Sequence, residues 1–283
     1  MKPIPDCVPD ILRSALAMAR LVTDEDFIQR KVLTKAMLAL GEDGDFGTDP
    51  LELAFRGLEA ARKALGVRDP YEKVKARATK SVLGLEAAFR TLIDTSPDPL
   101  ATAILLSLAG AEADVAALGR DEVETSIRAG LERAPARDGR VELAAELRAA
   151  RSVMLVLDRA GEAVLDRFLA ERLAGNGVQV TVVASAKPFL AMATAADAKA
   201  AKFNPEWVID PGAEMYGLAV EKASSEFEDR FTTVDVVVAK GEAHFEALRT
   251  AGRPVWSMLH VDCPSVAARL GVTVGTGVVA RSN

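Results

Sequence analysis

Four short apolar runs in the second half of the chain constrain its fold more than any other feature. Ser152–Asp158 reads S-V-M-L-V-L-D and breaks into Arg159-Ala160-Gly161-Glu162. Val178–Ser185 breaks into Ala186-Lys187-Pro188, Val234–Lys240 into Gly241-Glu242, and Pro254–His260 into Val261-Asp262-Cys263-Pro264. Runs of this length, rich in β-branched residues and bounded by Gly or Pro, read as buried parallel strands. Stretches with helical character separate them, at 162–173, 188–200 and 244–250, and one more follows at 265–270. Alternation of strand and helix predicts a mainly parallel sheet joined by right-handed crossovers. In such sheets ligands bind beyond the carboxyl ends of the strands. Asp158, Lys240 and His260 are therefore expected to converge on one crevice.

The first half reads differently. Ile11, Ala15, Ala19 and Val22 recur at helical spacing, as do Leu51, Phe55, Leu58 and Leu65. Asp69-Pro70-Tyr71 predicts the start of a long helix reaching Ile93, and Asp98-Pro99 predicts another through Ala101–Leu118. A shorter helix is expected over Gly119–Ala134, then a polar linker at Pro135–Arg140. The expected fold class is α/β: an all-helical domain at 1–147, and an α/β domain with a mainly parallel sheet at 148–283 that carries the site. The segment Phe203–Phe231 is less regular and is expected to arch over the sheet edge.

The balance of charge narrows the function classes. The 283 residues carry a net charge of −6, with a pI near 5.2. A nucleic-acid binder or a binder of anionic membranes needs a basic face, so neither is expected. No apolar run approaches the ~20 residues of a membrane span. The two cysteines, Cys7 and Cys263, are too few and too dispersed for a disulfide framework. The expectation is a soluble protein of a reducing cytoplasm.

The strand ends suggest two kinds of chemistry. Asp158 stands before a glycine-containing turn, where a carboxylate can bind a hard cation or act as a nucleophile. In that position it could equally cap the following helix. Lys240-Gly241 suits an anion such as phosphate, since the glycine lets a ligand approach the backbone. Alternatively the lysine snorkels to solvent. Asp197, in Ala195-Ala196-Asp197-Ala198-Lys199, reads alone as a solvated surface charge. No P-loop, G-x-S-x-G elbow or C-x-x-C pair is present.

Taken in order, several stretches resemble the damage-control phosphatases, metal-dependent phosphohydrolases long catalogued as a domain of unknown function. They are Asp158-Arg159-Ala160-Gly161-Glu162, Asp197-Ala198-Lys199, Lys240-Gly241-Glu242-Ala243-His244-Phe245-Glu246, and Leu259 through Val272. Cys7 with Thr23-Asp24-Glu25 is similar to the family's opening. Asp69-Pro70-Tyr71 with Lys75, and Ala109-Gly110 with Asp114, match two further segments. The resemblance implies a helical domain joined to a Rossmann-like domain, with Mg²⁺, Mn²⁺, Ni²⁺ or Co²⁺ bound through Asp, Asn and Asp. It implies Asp158 and Asp197 as metal ligands, and Asp158 with Lys240 as catalytic residues. Lys240, Gly241, Arg159 and His260 would line the phosphate site. The substrate would be a small phosphorylated metabolite, often a sugar phosphate.

The departures from the family fall on polar site residues. Arg159 stands for a metal-binding Asn, and Ala111 and Thr79 stand where the family's motifs carry other Asn residues. Glu242 and His244 replace Gln and Asn, His260 and Asp262 replace two lysines, and Asp10 replaces a cysteine. An amide oxygen ligates Mg²⁺ or Mn²⁺, whereas a guanidinium has no lone pair to offer. Pointing inward, Arg159 would pair with Asp158 or Asp197 and leave no need for a metal. Pointing outward, it would leave a weaker site of two carboxylates and water. Three functions stay open. The first is a metal-dependent phosphatase with an altered ligand set. The second is an inactive homologue, without cofactor, that binds an anion or a partner protein. The third is a rebuilt metal site using His244 and His260, the chain's two histidines.

Overall fold

A computed structural model describes residues 3–41, 47–113, 120–185, 187–213 and 216–282. The chain divides into two compact units, Met1–Lys73 with Pro188–Leu190, and Val74–Lys187 with Ala191–Asn283.

The first unit holds α1 (Cys7–Val22), α2 (Asp26–Gly41) and α3 (Pro50–Leu65). Asp49 accepts a hydrogen bond from the Leu51 amide ahead of Pro50, and Gly66 ends α3 in the left-handed region. This pairing of Pro at the start and Gly at the end is what the sequence signals demand. Ile11, Ala15, Val32, Ala36, Leu53 and Leu58 form its interior. A Cβ on Gly57 would lie 2.8 Å from Ile11, so the glycine lets α3 approach α1 closely. Phe55 and Phe189 stack at 5.2 Å.

The second unit is built on a mainly parallel sheet. Its helices and strands, in chain order, begin with α4 (Glu72–Leu83, whose first two residues belong to the first unit), α5 (Glu86–Asp94), α6 (Pro99–Glu112), α7 (Arg120–Glu132), β1 (Arg137–Asp138), α8 (Arg140–Ala149) and β2 (Ser152–Val156). They continue with α9 (Ala163–Gly175), β3 (Gln179–Val183), α10 (Ala195–Ala200), β4 (Val208–Ile209), α11 (Ser225–Thr233) and β5 (Val236–Lys240). Last come α12 (Glu242–Leu248), β6 (Trp256–Val261), α13 (Pro264–Leu270) and β7 (Thr276–Arg281). The strand order among the described residues is β1-β7-β6-β5-β2-β3-β4, with β6 and β7 antiparallel and every other pair parallel.

From β2 the chain winds outward through β3 to β4, then returns to β5 on the other side of β2. The strand order thus reverses between β2 and β5, the place where such sheets leave a crevice. At the opposite, amino ends these two strands are clasped. Asp235 accepts from the amides of Arg151 (2.8 Å) and Ser152 (3.0 Å), and the Ser152 hydroxyl accepts from the Asp235 amide.

All four predicted strands form, within two residues of their expected ends. The structure differs elsewhere. The two compact units do not divide at the 147/148 change of pattern. The division comes at Lys73/Val74, because α6 packs on α9 and β6, so the later helices of the first half belong to the sheet's own core. The helix expected over 69–93 breaks between α4 and α5, where Gly84 weakens it and Leu85 leaves helical angles (φ −103°, ψ 1°). The helix expected at 188–200 shortens to α10. Its start is fixed by a reciprocal cap between Thr194 and Asp197. Just before it, the Ala160 amide bonds Ala191 and the Ala193 amide bonds the Asp158 carbonyl. The expected linker contains β1, which pairs with β7; the Ala136 and Gly139 amides bond the β7 carbonyls of Gly277 and Val279. The irregular segment 203–231 contains β4 and most of α11.

Candidate functional site

Asp158 lies two residues past the end of β2, beside Gly241, which follows β5 directly. The Leu157 amide bonds the Val183 carbonyl, and the Asp158 carbonyl accepts from Ala193 at 2.7 Å, so the backbone on both sides of the carboxylate is fixed. The side chain retains 15% exposure. It presses on the backbone of Gly241: a Cβ there would fall 2.1 Å from Oδ2. Gly241 has φ +81° and ψ 162°, a region that is essentially glycine's alone. Asp158 does not cap α9, so the capping alternative gives way to a carboxylate facing the crevice. Burial pushes its carboxyl above the ordinary range, while Arg159 and Lys240 pull it down.

Lys240 is not where a phosphate-holding lysine was expected. It is wholly buried behind the crevice. Its Nζ donates to Asp166 Oδ1 (2.6 Å), the Ser107 carbonyl (2.8 Å) and Ser107 Oγ (3.1 Å), with Glu162 Oε1 at 3.9 Å. Ser107 Oγ also donates to Asp166. Burial works against the ammonium, but Asp166, Glu162 and Asp158 hold its pKa above the ordinary value. The lysine therefore does not snorkel to solvent: the cluster ties β5 to α6 and α9.

The charge that does face the crevice is Arg159. Its Nε lies 3.9 Å from Asp158 Oδ2, and its Nη2 lies 3.6 Å from Asp262 Oδ2. Of the two inward pairings expected, Asp158 is met. Asp197 is engaged elsewhere: its Oδ2 accepts from Lys75 Nζ (2.8 Å), the Thr194 amide (2.9 Å) and the Thr194 hydroxyl (2.7 Å). Asp197 is a half-buried helix cap with a buried lysine partner, not a solvated charge. His260 stands with Nε2 3.5 Å from Asp262 Oδ1. His244 is buried; its Nε2 lies 3.0 Å from the Leu157 carbonyl. A carbonyl only accepts, so Nε2 carries the proton, and burial pushes the imidazole pKa down to about 4. Among the described residues, no group of three His, Cys, Asp or Glu side chains is placed to hold a metal ion. The four-residue site of Asp158, Asp197, His244 and His260 is thus not assembled. Asp114 lies outside the described residues.

Three site residues escape a strand-end reading. Glu162 and Asp166 follow Asp158 at successive intervals of four, so an acid recurs along one helical face; that spacing was the available signal. Tyr216 is the third. Burial, then Asp158 and Glu242, push its phenol well above the ordinary range. It sits in an irregular segment, where periodicity gives no signal.

Glu242 forms the far wall. Its Oε1 accepts from the amides of Cys263 (2.9 Å) and Asp262 (3.0 Å), joining the start of α12 to the start of α13. Burial and then Asp262 outweigh those amides and push its pKa up to about 7. A carboxyl raised on folding contributes stability that is fully present below its unfolded pKa and is lost as pH rises through about 7. Glu242→Gln keeps the accepting oxygen and removes the titration. The expected result is a smaller fall in melting temperature between pH 5 and pH 8 than in the unaltered protein. Identical falls would show that Glu242 ionises freely in the fold.

A buried carboxylate thus stands at the sheet's switch point, 3.9 Å from an arginine. The family model for the damage-control phosphatase ARMT1-like domain matches residues 4–278, and the chain belongs to that family. A protein of Archaeoglobus fulgidus named damage-control phosphatase is 28% identical over 281 residues, covering 97% of both chains. One of the same name from Pyrococcus horikoshii is 23% identical, covering 98% of this chain and 97% of its own. The crystal structure of a DUF89 family protein from P. horikoshii superposes with a TM-score of 0.88 at 22% identity over the whole of both chains, which fixes the fold. No helix among the described residues is long and apolar enough to cross a membrane.

Proposed function

We propose that this chain binds small phosphorylated metabolites at the carboxyl ends of β2 and β5 and hydrolyses the phosphate ester. The observation that carries this reading is Asp158: a carboxylate with, among the described residues, no shorter side-chain ion pair than Arg159 at 3.9 Å, held at the switch point of a phosphatase-family sheet. Its raised pKa makes it a stronger base than an ordinary aspartate, suited to take a proton from the attacking water. The Arg159 guanidinium offers paired donors to phosphoryl oxygens. Glu242, with a pKa near 7, can return a proton to the leaving oxygen. Water oxygen bonds phosphorus, the ester P–O bond breaks, and an alcohol and inorganic phosphate leave. Lys240 acts from behind, by keeping β5 and Gly241 in place.

The family is metal-dependent. The described side chains do not fit a tightly held divalent cation. Asp158 is the one carboxylate of the expected pair that faces the crevice. Asp197 is taken by Lys75 and Thr194, and a guanidinium stands beside Asp158. No step is therefore assigned to a metal. A second reading, an anion-binding homologue without turnover, is favoured by the same Arg159–Asp158 contact.

Phosphate release from a panel of sugar phosphates, with and without Mn²⁺, separates the two readings. Release that depends on protein concentration supports hydrolysis; binding without release supports the second reading. Calorimetric titration with Mn²⁺ tests the role of Arg159. Arg159→Asn is expected to bind Mn²⁺ at least about tenfold more tightly, since it exchanges a repelling charge for an amide ligand. Equal or weaker affinity would mean that Arg159 does not block the cation.

A further inference from the structure

Two buried polar atoms near the end of β6 lack partners. Glu112, the last residue of α6, has a side chain only 2% exposed, and its Oε2 accepts from Arg133 Nη1 at 3.2 Å. Its Oε1 has no hydrogen-bond partner among the described residues, and neither has His260 Nδ1. Both atoms are closed off from water, so solvent does not satisfy them either. Leaving a buried donor or acceptor unpaired is costly, which makes two such atoms in one place worth explaining.

The sheet brings them together. His260 on β6 stands opposite Gly277 on β7 in the antiparallel pair, so the two residues project to the same side. That side is the one covered by α6. Trp256 and Met258, which share a face with His260 along β6, pack in one cluster with Ala103, Ile104 and Leu108 of α6. Opposed Cβ positions lie about 4.5–5.5 Å apart. A Cβ on Gly277 would fall 2.1 Å from Glu112 Oε1, so the carboxylate fills the place of the side chain that glycine lacks. Glu112 is thus the cross-strand neighbour of the imidazole. Burial pushes its carboxyl pKa up, while Arg133 and then His260 pull it down. The other ring nitrogen belongs to the crevice. Nε2 lies 3.5 Å from Asp262 Oδ1, Asp262 Oδ2 lies 3.6 Å from Arg159 Nη2, and Arg159 Nε lies 3.9 Å from Asp158 Oδ2.

We propose that Glu112 is a positioning residue: its Oε1 accepts the proton of His260 Nδ1 and so fixes Nε2 as the nitrogen that meets a phosphoryl group in the crevice. The inference rests on the reading of the crevice as a phosphomonoester site. A small rotation of either side chain closes the contact and satisfies a donor and an acceptor at once. Arg133 occupies the other carboxylate oxygen, which leaves Oε1 for the ring. A third group behind an imidazole sets its tautomer and its orientation. With Nδ1–H committed to Glu112, a proton gained at Nε2 turns the ring into a donor aimed at the crevice, and the carboxylate behind it balances the charge. Gly277 is the remaining part of the device, since any side chain there would evict the carboxylate.

Long-range ¹H–¹⁵N spectra distinguish the two ring nitrogens of an imidazole, and loss of one of the chain's two histidine spin systems in His260→Ala assigns it. At the alkaline end of a titration, where the ring has lost its charge, His260 is expected to carry its proton on Nδ1. Glu112→Leu and, independently, Gly277→Ala are expected to move that proton to Nε2. Glu112→Gln, which keeps an accepting oxygen, is expected to leave it on Nδ1. Inorganic phosphate probes the crevice. It is expected to shift Nε2 more than Nδ1, and its affinity by calorimetry is expected to fall about tenfold in Glu112→Leu and in His260→Ala. The two losses are not expected to add in the double variant, because one residue acts through the other. A proton on Nε2 in the uncharged ring of the unaltered protein would overturn the proposal, as would additive losses or a bound phosphate that leaves Nε2 unmoved. If the variants do not fold, the spectrum of the unaltered protein still decides. Failure of the phosphatase reading looks different: phosphate binds at Nε2, but none is released from a sugar phosphate.

Discussion

Gly241→Ala is expected to cost about a hundredfold in kcat/KM for phosphate release, together with a measurable loss of stability. The added methyl would sit 2.1 Å from Asp158 Oδ2 and 2.3 Å from its Cγ, inside any real contact distance. The carboxylate is the freer of the two partners, so it moves. A reacting group displaced by about 1 Å loses on the order of a hundredfold in rate. The backbone adds its own penalty. At φ +81° and ψ 162° any side chain is strained, by roughly 1–3 kcal/mol. Thermal melting and a phosphate-release assay read the two effects separately. Combining the change with Asp158→Ala should relieve the clash but keep the backbone strain. A Gly241→Ala protein with unaltered melting and turnover would mean that Asp158 does not rest against Gly241.

Lys240→Met is expected to be the most destabilising single change in the second unit, by about 3–5 kcal/mol, because it strips a buried ion pair of one member. Methionine fills most of the volume. It leaves Asp166 and Glu162, both buried, without the ammonium that balances them, and the Ser107 carbonyl without its donor. The sign with pH follows. Without the lysine these carboxyls take up protons more readily in the folded state than in the unfolded one. Their penalty is therefore small at low pH and grows as pH rises past their unfolded pKa. Urea midpoints at pH 5 and pH 8 measure this, and the gap from the unaltered protein should widen at pH 8. Lys240→Met with Asp166→Leu should recover much of the loss, since an apolar pair of similar volume carries no stranded charge. A Lys240→Met protein as stable as its parent would place the ammonium in water.

The strands and the crevice were legible because burial on both faces writes itself as unbroken β-branched runs. Asp158 and Gly241 were legible for the same reason: they end such runs. The position of Lys240 was not. Its partners Ser107 and Asp166 lie 133 and 74 residues away, and nothing local distinguishes a strand-end lysine that turns inward from one that turns outward. Asp197 reads as a surface charge in the sequence because its partner, Lys75, comes from α4, 122 residues earlier. The short strands β1 and β4 were hidden because two residues carry no period. β7, though longer, follows Gly271 and Gly275 and contains Gly277, and such glycines weaken a strand's signal. Tyr216 was hidden in a segment with no regular pattern at all.

The Lys240 cluster also bears on how the crevice could change over time. The ions that hold β5, α6 and α9 together face inward, and Arg159, Asp262 and Glu242 face the other way. Exchanging the outward set alters which charge a ligand meets without disturbing the joint behind it. A change at position 159 therefore alters the charge beside Asp158 while leaving the joint that holds the strands in place. The scaffold is inherited as one piece, and its chemistry can be revised one residue at a time.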